Sequence, residues 1–433
     1  MPNQSPFQKS LLIFCMTASA LAAENAPSPL SLDWVLAQVR QNNPAIQAAQ
    51  AEVGMAKSMA IAARAWPDPQ VGVEFWDIPR PGFDLGASGQ RLLDISQEIP
   101  FPAKTLLESQ AASHAANLKQ AEAETTAQAQ LFMAKQAYWD LFTAVASLKA
   151  LSKTARALDQ LAGLSDRRNR FGQAGRMGQL MDSMAKMERV GLKNQAVALA
   201  QERLAAQNRL RRLMAAGAAQ DLPDPAAGEA PFKAGLDEAA LLKGALQNRP
   251  ELMQARHHLW HTQAQRSLAA AGWMPDLMLQ YSLVEASDGA QSAMGMAKLN
   301  LPFVWFWRQG AEQAAASKGV EASQAMLQST LDETSEALKS ELAMFNAARA
   351  QWQLQEGEAL PEAENALKLG ISGYQSGSLG VADALGALRA YLMANLEALG
   401  LKAQMGRSVA VLEQLSGARL GAMPSTEMNH ENP

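Results

Sequence analysis

The amino-acid sequence predicts a mainly α-helical chain with a small β part, written as an internal two-fold repeat. Three observations lead there. A series of short signals occurs twice in the same order, roughly two hundred residues apart, which chance similarity rarely produces. Two very long tracts carry helical composition with apolar residues at heptad spacing. Four short segments alternate apolar and polar residues, the period of a strand with one buried face.

The repeat is read from four pairs. Asn43-Pro44 answers Arg249-Pro250, each opening an Ala- and Gln-rich run. Ala65-Trp66-Pro67-Asp68 answers Gly272-Trp273-Met274-Pro275-Asp276, and Ile99-Pro100-Phe101 answers Leu301-Pro302-Phe303. Phe171-Gly172-Gln173-Ala174-Gly175 answers Gly373-Tyr374-Gln375-Ser376-Gly377. The expected division is a first repeat over 31–216, a linker over 217–235 and a second repeat over 236–417. The linker holds Asp221-Leu222-Pro223-Asp224-Pro225, which cannot continue a helix. Residues 418–433 are polar and are expected to be a disordered tail.

Within each half a helix opens the unit, at Ser31-Leu32-Asp33 before Trp34 and at Gly235-Leu236-Asp237 before Leu241. Two alternating segments follow. Val71, Val73 and Phe75 alternate with Gly72 and Glu74; Leu277, Leu279, Tyr281 and Leu283 alternate with Met278, Gln280 and Ser282. Return segments are expected near 92–99 and 294–301, joined by Gly-, Pro- and Asp-rich stretches, so each half holds a hairpin. Long helical tracts come next, over about 102–169 and 304–372, each able to extend roughly 100 Å at the helical rise. Leu131, Tyr138 and Val145 recur every seventh position, as do Leu331, Leu338, Phe345 and Trp352, the spacing of coiled-coil packing. Pro361 is expected to kink or divide the second tract. A Gly-containing turn then leads to a further helix in each half, over 179–215 and 381–415.

Composition narrows the function. Hydrophobic residues make up 48% of the chain but aromatics only 6%, so the apolar content is Ala, Leu and Met, which suits long helices. A formal net charge of -4 and the absence of any nucleic-acid-reading motif argue against nucleic acid as a partner. Residues 1–23 are expected to be a secretory signal, with Lys9 before an apolar run and Ala20-Leu21-Ala22 as the cleavage pattern. That run is too short to span a bilayer as a helix, and no later segment is apolar for long enough. The single Cys15 lies inside the signal; a lipid-anchored N-terminus at Cys15 is the competing reading, opposed by the bulky Phe14 before it. No enzyme motif is present: there is no Gly-x-Ser-x-Gly, no phosphate-binding Gly-rich loop, and no requirement for a cofactor.

An exported chain with four alternating strands and no membrane-spanning helix cannot cross a bilayer alone, because an open sheet leaves unpaired backbone groups in hydrocarbon. Several copies could pool their hairpins into one closed barrel while their long helices pack as a tube. The doubled order of NP-helix, P-D strand, return strand ending in a P-F turn, long helix and Y/F-x-x-G turn resembles the TolC family of outer-membrane efflux proteins, over about residues 32–417. The resemblance implies a homotrimer in outer-membrane lipid, with four strands per chain in a twelve-stranded β-barrel and the long coiled helices as an α-barrel in the periplasm. It also implies a periplasmic adaptor (membrane-fusion) protein and an inner-membrane pump as partners, and export of small toxic solutes as the function.

The resemblance points to particular residues. The turns at 171–178 and 374–380 would form the periplasmic tip, where such channels are gated. Phe171, Gly175 and Asp182 in the first half correspond to Tyr374, Gly377 and Asp383 in the second. The family often carries Asp six residues after the turn glycine. Asp383 fits that place, whereas in the first half it is Met181, with Asp182 one step later. A ring of Asp383 carboxylates would favour cations; helix capping by Asp383 is the other reading. Gln97-Glu98-Ile99-Pro100-Phe101-Pro102-Ala103-Lys104 resembles a Q-x-x-P-x-P-G-K stretch of the heavy-metal branch, with Ala103 for the usual Gly, so metal cations are the favoured cargo.

Other features are weighed against plainer readings. His257, His258 and His261 share one helix face but lack the partners a metal site needs, so no metal site is assigned. The 21 methionines sit at core-like spacing and read as packing. Trp305, Phe306 and Trp307 are either membrane-interface anchors or packing at the barrel junction. Arg167, Arg168 and Arg170 stand beside the first tip turn and are a candidate adaptor contact; Arg209, Arg211 and Arg212 lie near a helix end, where cations favour the dipole. A periplasmic coiled-coil scaffold and a channel for protein secretion are the alternative functions.

Overall fold

The computed structural model describes residues 27–82, 84–170, 175–217, 222–225 and 236–420, the backbone alone at 164–170, 175–182 and 303. Its first half runs α1 (Leu32–Asn42), α2 (Pro44–Ala62), β1 (Gln70–Trp76), β2 (Gln90–Ile99), α3 (Pro102–Arg170) and α4 (Gly175–Leu213). The second runs α5 (Glu238–Asn248), α6 (Pro250–Ala271), β3 (Leu277–Ala286), β4 (Gln291–Leu299), α7 (Phe306–Leu354), α8 (Leu360–Ser376) and α9 (Val381–Ser416).

Local chemistry explains where the helices start. The Ser31 hydroxyl accepts from the Trp34 N–H, and Asp237 accepts from Ala239 and Ala240. Asn43 accepts from Ala45 and Ile46, with Pro44 in the first helical position where no donor is needed. Its amide also donates to the Leu213 carbonyl at 2.8 Å, tying the start of α2 to the end of α4. Arg249, its counterpart, makes no such cap and instead bonds Glu251 and Thr334.

The two hairpins form one antiparallel sheet in the order β1-β2-β3-β4. Both return strands begin earlier than the sequence suggests, at Gln90 and Gln291, and β4 stops at Leu299. Polar Gln90, Gln291 and Ser292 lengthen the ladders because pairing depends on backbone groups, to which the apolar pattern is blind.

Below the sheet the helices run as a sheaf. Helix α3, at 69 residues, extends about 100 Å. It packs along α4, α6, α2 and α9, and α7 packs on α6 and α9. The heptad residues face inward: Leu131, Tyr138, Val145, Leu338 and Phe345 are buried, and Leu331 and Trp352 half-buried. Pro361 does not break the second tract. A wide π turn at residues 355–359 precedes it and gives the ring room, and Gln355 bonds the Ala394 carbonyl on α9 at 3.1 Å.

Two stretches read as linker and tail are in part structural. Leu222 is buried and its carbonyl accepts from Gln207 at 3.1 Å, while Pro225 bridges to Leu30. Leu420 is buried, its N–H donates to Glu413 at 3.0 Å, and Arg419 pairs with Asp33. The expected signal over residues 1–23 lies outside the described residues.

Candidate functional site

The sheet carries most of its exposed apolar residues on one face. Val71, Val73, Leu93, Ile95, Leu279, Tyr281, Leu283 and Leu299 are all exposed, and the strand register places them on one face. The opposite face holds Glu74, Asp94, Ser96, Glu98, Gln280, Ser282 and Lys298. Such alternation is that of a membrane barrel wall, lipid on one side and water on the other. The outer strands β1 and β4 each keep one unpaired edge. No helix among the described residues is long and apolar enough to cross a membrane.

Because the strands alternate in direction, all four junctions with helices fall at one end of the sheet, and each carries an exposed or half-exposed ring. Trp66 precedes β1, Phe101 follows β2, Trp273 precedes β3, and Trp305, Phe306 and Trp307 follow β4. The last three are 59%, 63% and 57% exposed in the single chain and stack edge-on at about 5 Å. Trp76 stands at the other end, its indole N–H donating to Glu74 at 2.9 Å. Rings at both rims suit the two membrane interfaces. The sequence reading singled out only the Trp305–Trp307 run; Trp66, Phe101 and Trp273 needed the strand directions to be grouped with it.

The Gln97–Lys104 stretch is a joint between the two halves. Gln97 donates to the Pro67 carbonyl at 2.8 Å. Asp276, at the start of β3, accepts from the Phe101 N–H at 2.9 Å, the Lys104 ammonium at 2.7 Å and the Asn300 amide at 2.9 Å. Burial alone would push the Asp276 carboxyl up, but these three donors outweigh it and hold it below its ordinary value. The motif that resembled a metal-exporting branch is therefore occupied by fold-building bonds.

At the far end of the helices, Gly377 ends α8 in a left-handed conformation, φ 82°. The Ser378 and Leu379 N–H groups turn back to the Gly373 carbonyl at 2.9 and 3.1 Å. The Leu379 side chain lies where a Cβ on Gly373 would be, 2.5 Å away. Tyr374 is buried with Val381, Leu385 and Leu388. The exposed Asp383 accepts from the Gly380 N–H at 3.1 Å and so caps α9. Capping uses one carboxylate oxygen and leaves the charge at the tip. Of the matching first-half residues, Phe171 lies outside the described residues. Gly175 opens α4, and Asp182 lies within α4 with its side chain, like those of Arg167, Arg168 and Arg170, outside the described residues.

Above the tip, the helix pairs are tied together. Lys153 of α3 donates to the Tyr391 hydroxyl of α9 at 2.7 Å, and Arg389 of α9 meets Glu188 of α4 at 2.6 Å. Higher still, Asp140 joins three helices by pairing with Arg209 of α4 and Arg407 of α9. The histidines of α6 diverge: His258 faces Ser323, His261 faces the Ala111 carbonyl, and His257 packs on Trp260. Burial, and then the neighbouring His114, hold His257 below its ordinary pKa. Among the described residues no group of three or more metal-binding side chains forms.

Residues 241–418 match the family described as outer membrane efflux protein. Among characterised proteins, none matches the chain by sequence alone. Three solved structures share the fold. CusC, described for its folding and transmembrane channel formation, is 19% identical at a TM-score of 0.73, over 89% of this chain and 92% of its own. The outer membrane protein VceC of Vibrio cholerae is 17% identical at 0.73, over 89% and 96%. The MtrE outer membrane channel of Neisseria gonorrhoeae, in its open state, is 18% identical at 0.75, over 90% and 89%. The second half of the chain thus matches the outer membrane efflux protein family, and the fold of such channels runs through nearly its whole length.

Proposed function

We propose that the chain is the channel subunit of a tripartite export system. Three copies would close one β-barrel in the outer membrane and one helical conduit beneath it, through which small toxic solutes leave the cell. The observation that carries this is the sheet: a four-stranded wall with a bare apolar face, a polar face and two open edges, joined to helices about 100 Å long. A scaffold working in the aqueous periplasm would gain nothing from exposing that face to water. The two repeats, 31–216 and 236–417, supply one hairpin and one long helical hairpin each. A periplasmic adaptor and an inner-membrane pump would dock at the tip, around the turns at 171–178 and 374–380.

For the cargo, the polar face offers Glu74, Asp94 and Glu98 against the single Lys298, and the tip offers Asp383. An acidic wall above an acidic mouth favours cations, so metal cations are the cargo this reading prefers. Fractionation with detergent-resistant gel migration tests the reading. A trimer in outer-membrane fractions supports it, and a water-soluble monomer overturns it. Metal sensitivity of a deletion strain, restored by the intact gene, tests the cargo, and unchanged tolerance to metals overturns that part.

A further inference from the structure

The two open edges, β1 and β4, have a definite match in a second copy of the chain. In the first half Gln70 stands opposite Ser96, and in the second Met278 stands opposite Lys298. The second pair is reached from the first by the same steps that relate Asp68 to Asp276 and Ile99 to Leu301. Between the halves, β2 and β3 pair with Ile99 opposite Leu277 and Gln97 opposite Leu279. Applying those steps to this pairing gives the seam between neighbouring copies.

We infer that β4 of one copy pairs antiparallel with β1 of the next, with Leu299 opposite Val71, Ala297 opposite Val73 and Lys298 opposite Gly72. This rests on the closed-barrel reading above and assigns it a register. Parity agrees, because Val71, Val73 and Phe75 of β1 then meet the uncovered face of β4. A slip by one residue would turn one strand inside out.

A second observation falls at the same point. Oδ1 of Asp94 is buried and has no hydrogen-bond partner among the described residues. Asp94 is opposite Gly72 and leans over it, its Oδ1 2.6 Å from where a Gly72 Cβ would sit. The carboxylate therefore points across the bare glycine toward the open edge of β1. In the inferred register the residue beyond that edge is Lys298 of the neighbouring copy, an exposed lysine on the same polar face. Two strand spacings, about 10 Å, separate the two backbones, and a lysine over a glycine can span that gap to an aspartate leaning toward it. The partner that satisfies Asp94 is thus a second copy, by an ion pair built across the seam. Slips by two residues would place Met296 or Asn300 opposite Gly72 and leave Asp94 without a cation.

The test uses full-length chain carrying Cys15→Ser, so that introduced cysteines are the only thiols. Val73→Cys is paired in turn with Ala297→Cys, Gly295→Cys and Leu299→Cys, and oxidative crosslinking is read on denaturing gels. Directly opposed strand positions are within disulfide reach. The inference expects covalent trimers with Ala297→Cys and several-fold less with the other two. Stronger crosslinking at Gly295→Cys or Leu299→Cys, or stable trimers that crosslink at none, overturns the register while leaving the channel reading intact. Absence of any trimer overturns both. For the ion pair, Asp94→Lys and Lys298→Asp should each lower the temperature at which the trimer dissociates, and the double exchange should recover most of the loss. A double exchange no better than the worse single change overturns the pair.

Discussion

Asp276 shows how one residue holds the two halves together where the sheet meets the helices. It is mostly buried, and its three donors come from the end of β2, the start of α3 and the end of β4. Its carboxyl is depressed in the folded chain, so its stabilisation is present above the unfolded value of about 3.9 and is lost as pH falls through that value toward the folded one. Asp276→Asn leaves Lys104 buried without a charge partner and should cost about 3 kcal/mol. Thermal melting should show the difference from the native chain at pH 7 and lose it progressively as pH falls below about 3.9. A pH-independent difference would assign the cost to shape instead of charge. At the tip, Gly377 holds a left-handed φ that a Cβ opposes, so Gly377→Ala should cost about 1 kcal/mol. That loss should appear as faster hydrogen exchange at Ser378 and Leu379, confined to this turn.

Among the elements, the long helices decide how closely the sheaf can pack. Trp139 on α3 lies flat against Gly406 on α9 and occupies the space any Cβ would need. Flanking Lys135–Glu413 at 2.5 Å and Asp140–Arg407 at 2.9 Å pin the same two helices. Gly406→Val should therefore force α3 and α9 apart and cost about 1–3 kcal/mol by overpacking, read as a lower melting temperature. Adding Trp139→Ala to it should recover part of the loss, and a double variant no better than the single one would place the strain elsewhere. The hairpins were legible from alternation alone, and so were the long helices, because their periods of two and seven are written in side chains. The π turn before Pro361 was not, since a missing donor can be met by breaking, bending or widening a helix, and packing on α9 chose the last.

For the whole molecule, the proposed channel function makes the polar face of the sheet and the turn at 374–380 the places that would set which ions pass. Replacing Glu74, Asp94 and Glu98 together with their amides should reduce the preference for cations, measured as a reversal potential across a planar bilayer under a salt gradient. Asp383→Asn should act in the same direction. An unchanged reversal potential in both would remove the electrostatic argument for cation cargo. In the sequence Asp383 fits the place six residues after the turn glycine, whereas Asp182 falls one step past it. Only Tyr374, Gly377 and Asp383 have side-chain and backbone geometry that shows how the turn is built.

The order of elements, the caps at Ser31, Asn43 and Asp237, and the inward heptads were present in the linear sequence, because each depends on neighbours a few residues away. What faces what was not. Leu222 and Leu420 looked like linker and tail, yet they fill the core, since burial depends on contacts made far along the chain. The Gln97–Lys104 stretch looked like a mark of cargo, and folding brought Asp276 to it across the sheet. Trp66, Phe101, Trp273 and the Trp305–Trp307 run became one rim only when antiparallel pairing placed four distant junctions at the same end. Local preference is encoded residue by residue, whereas a surface is made by residues that only folding brings side by side.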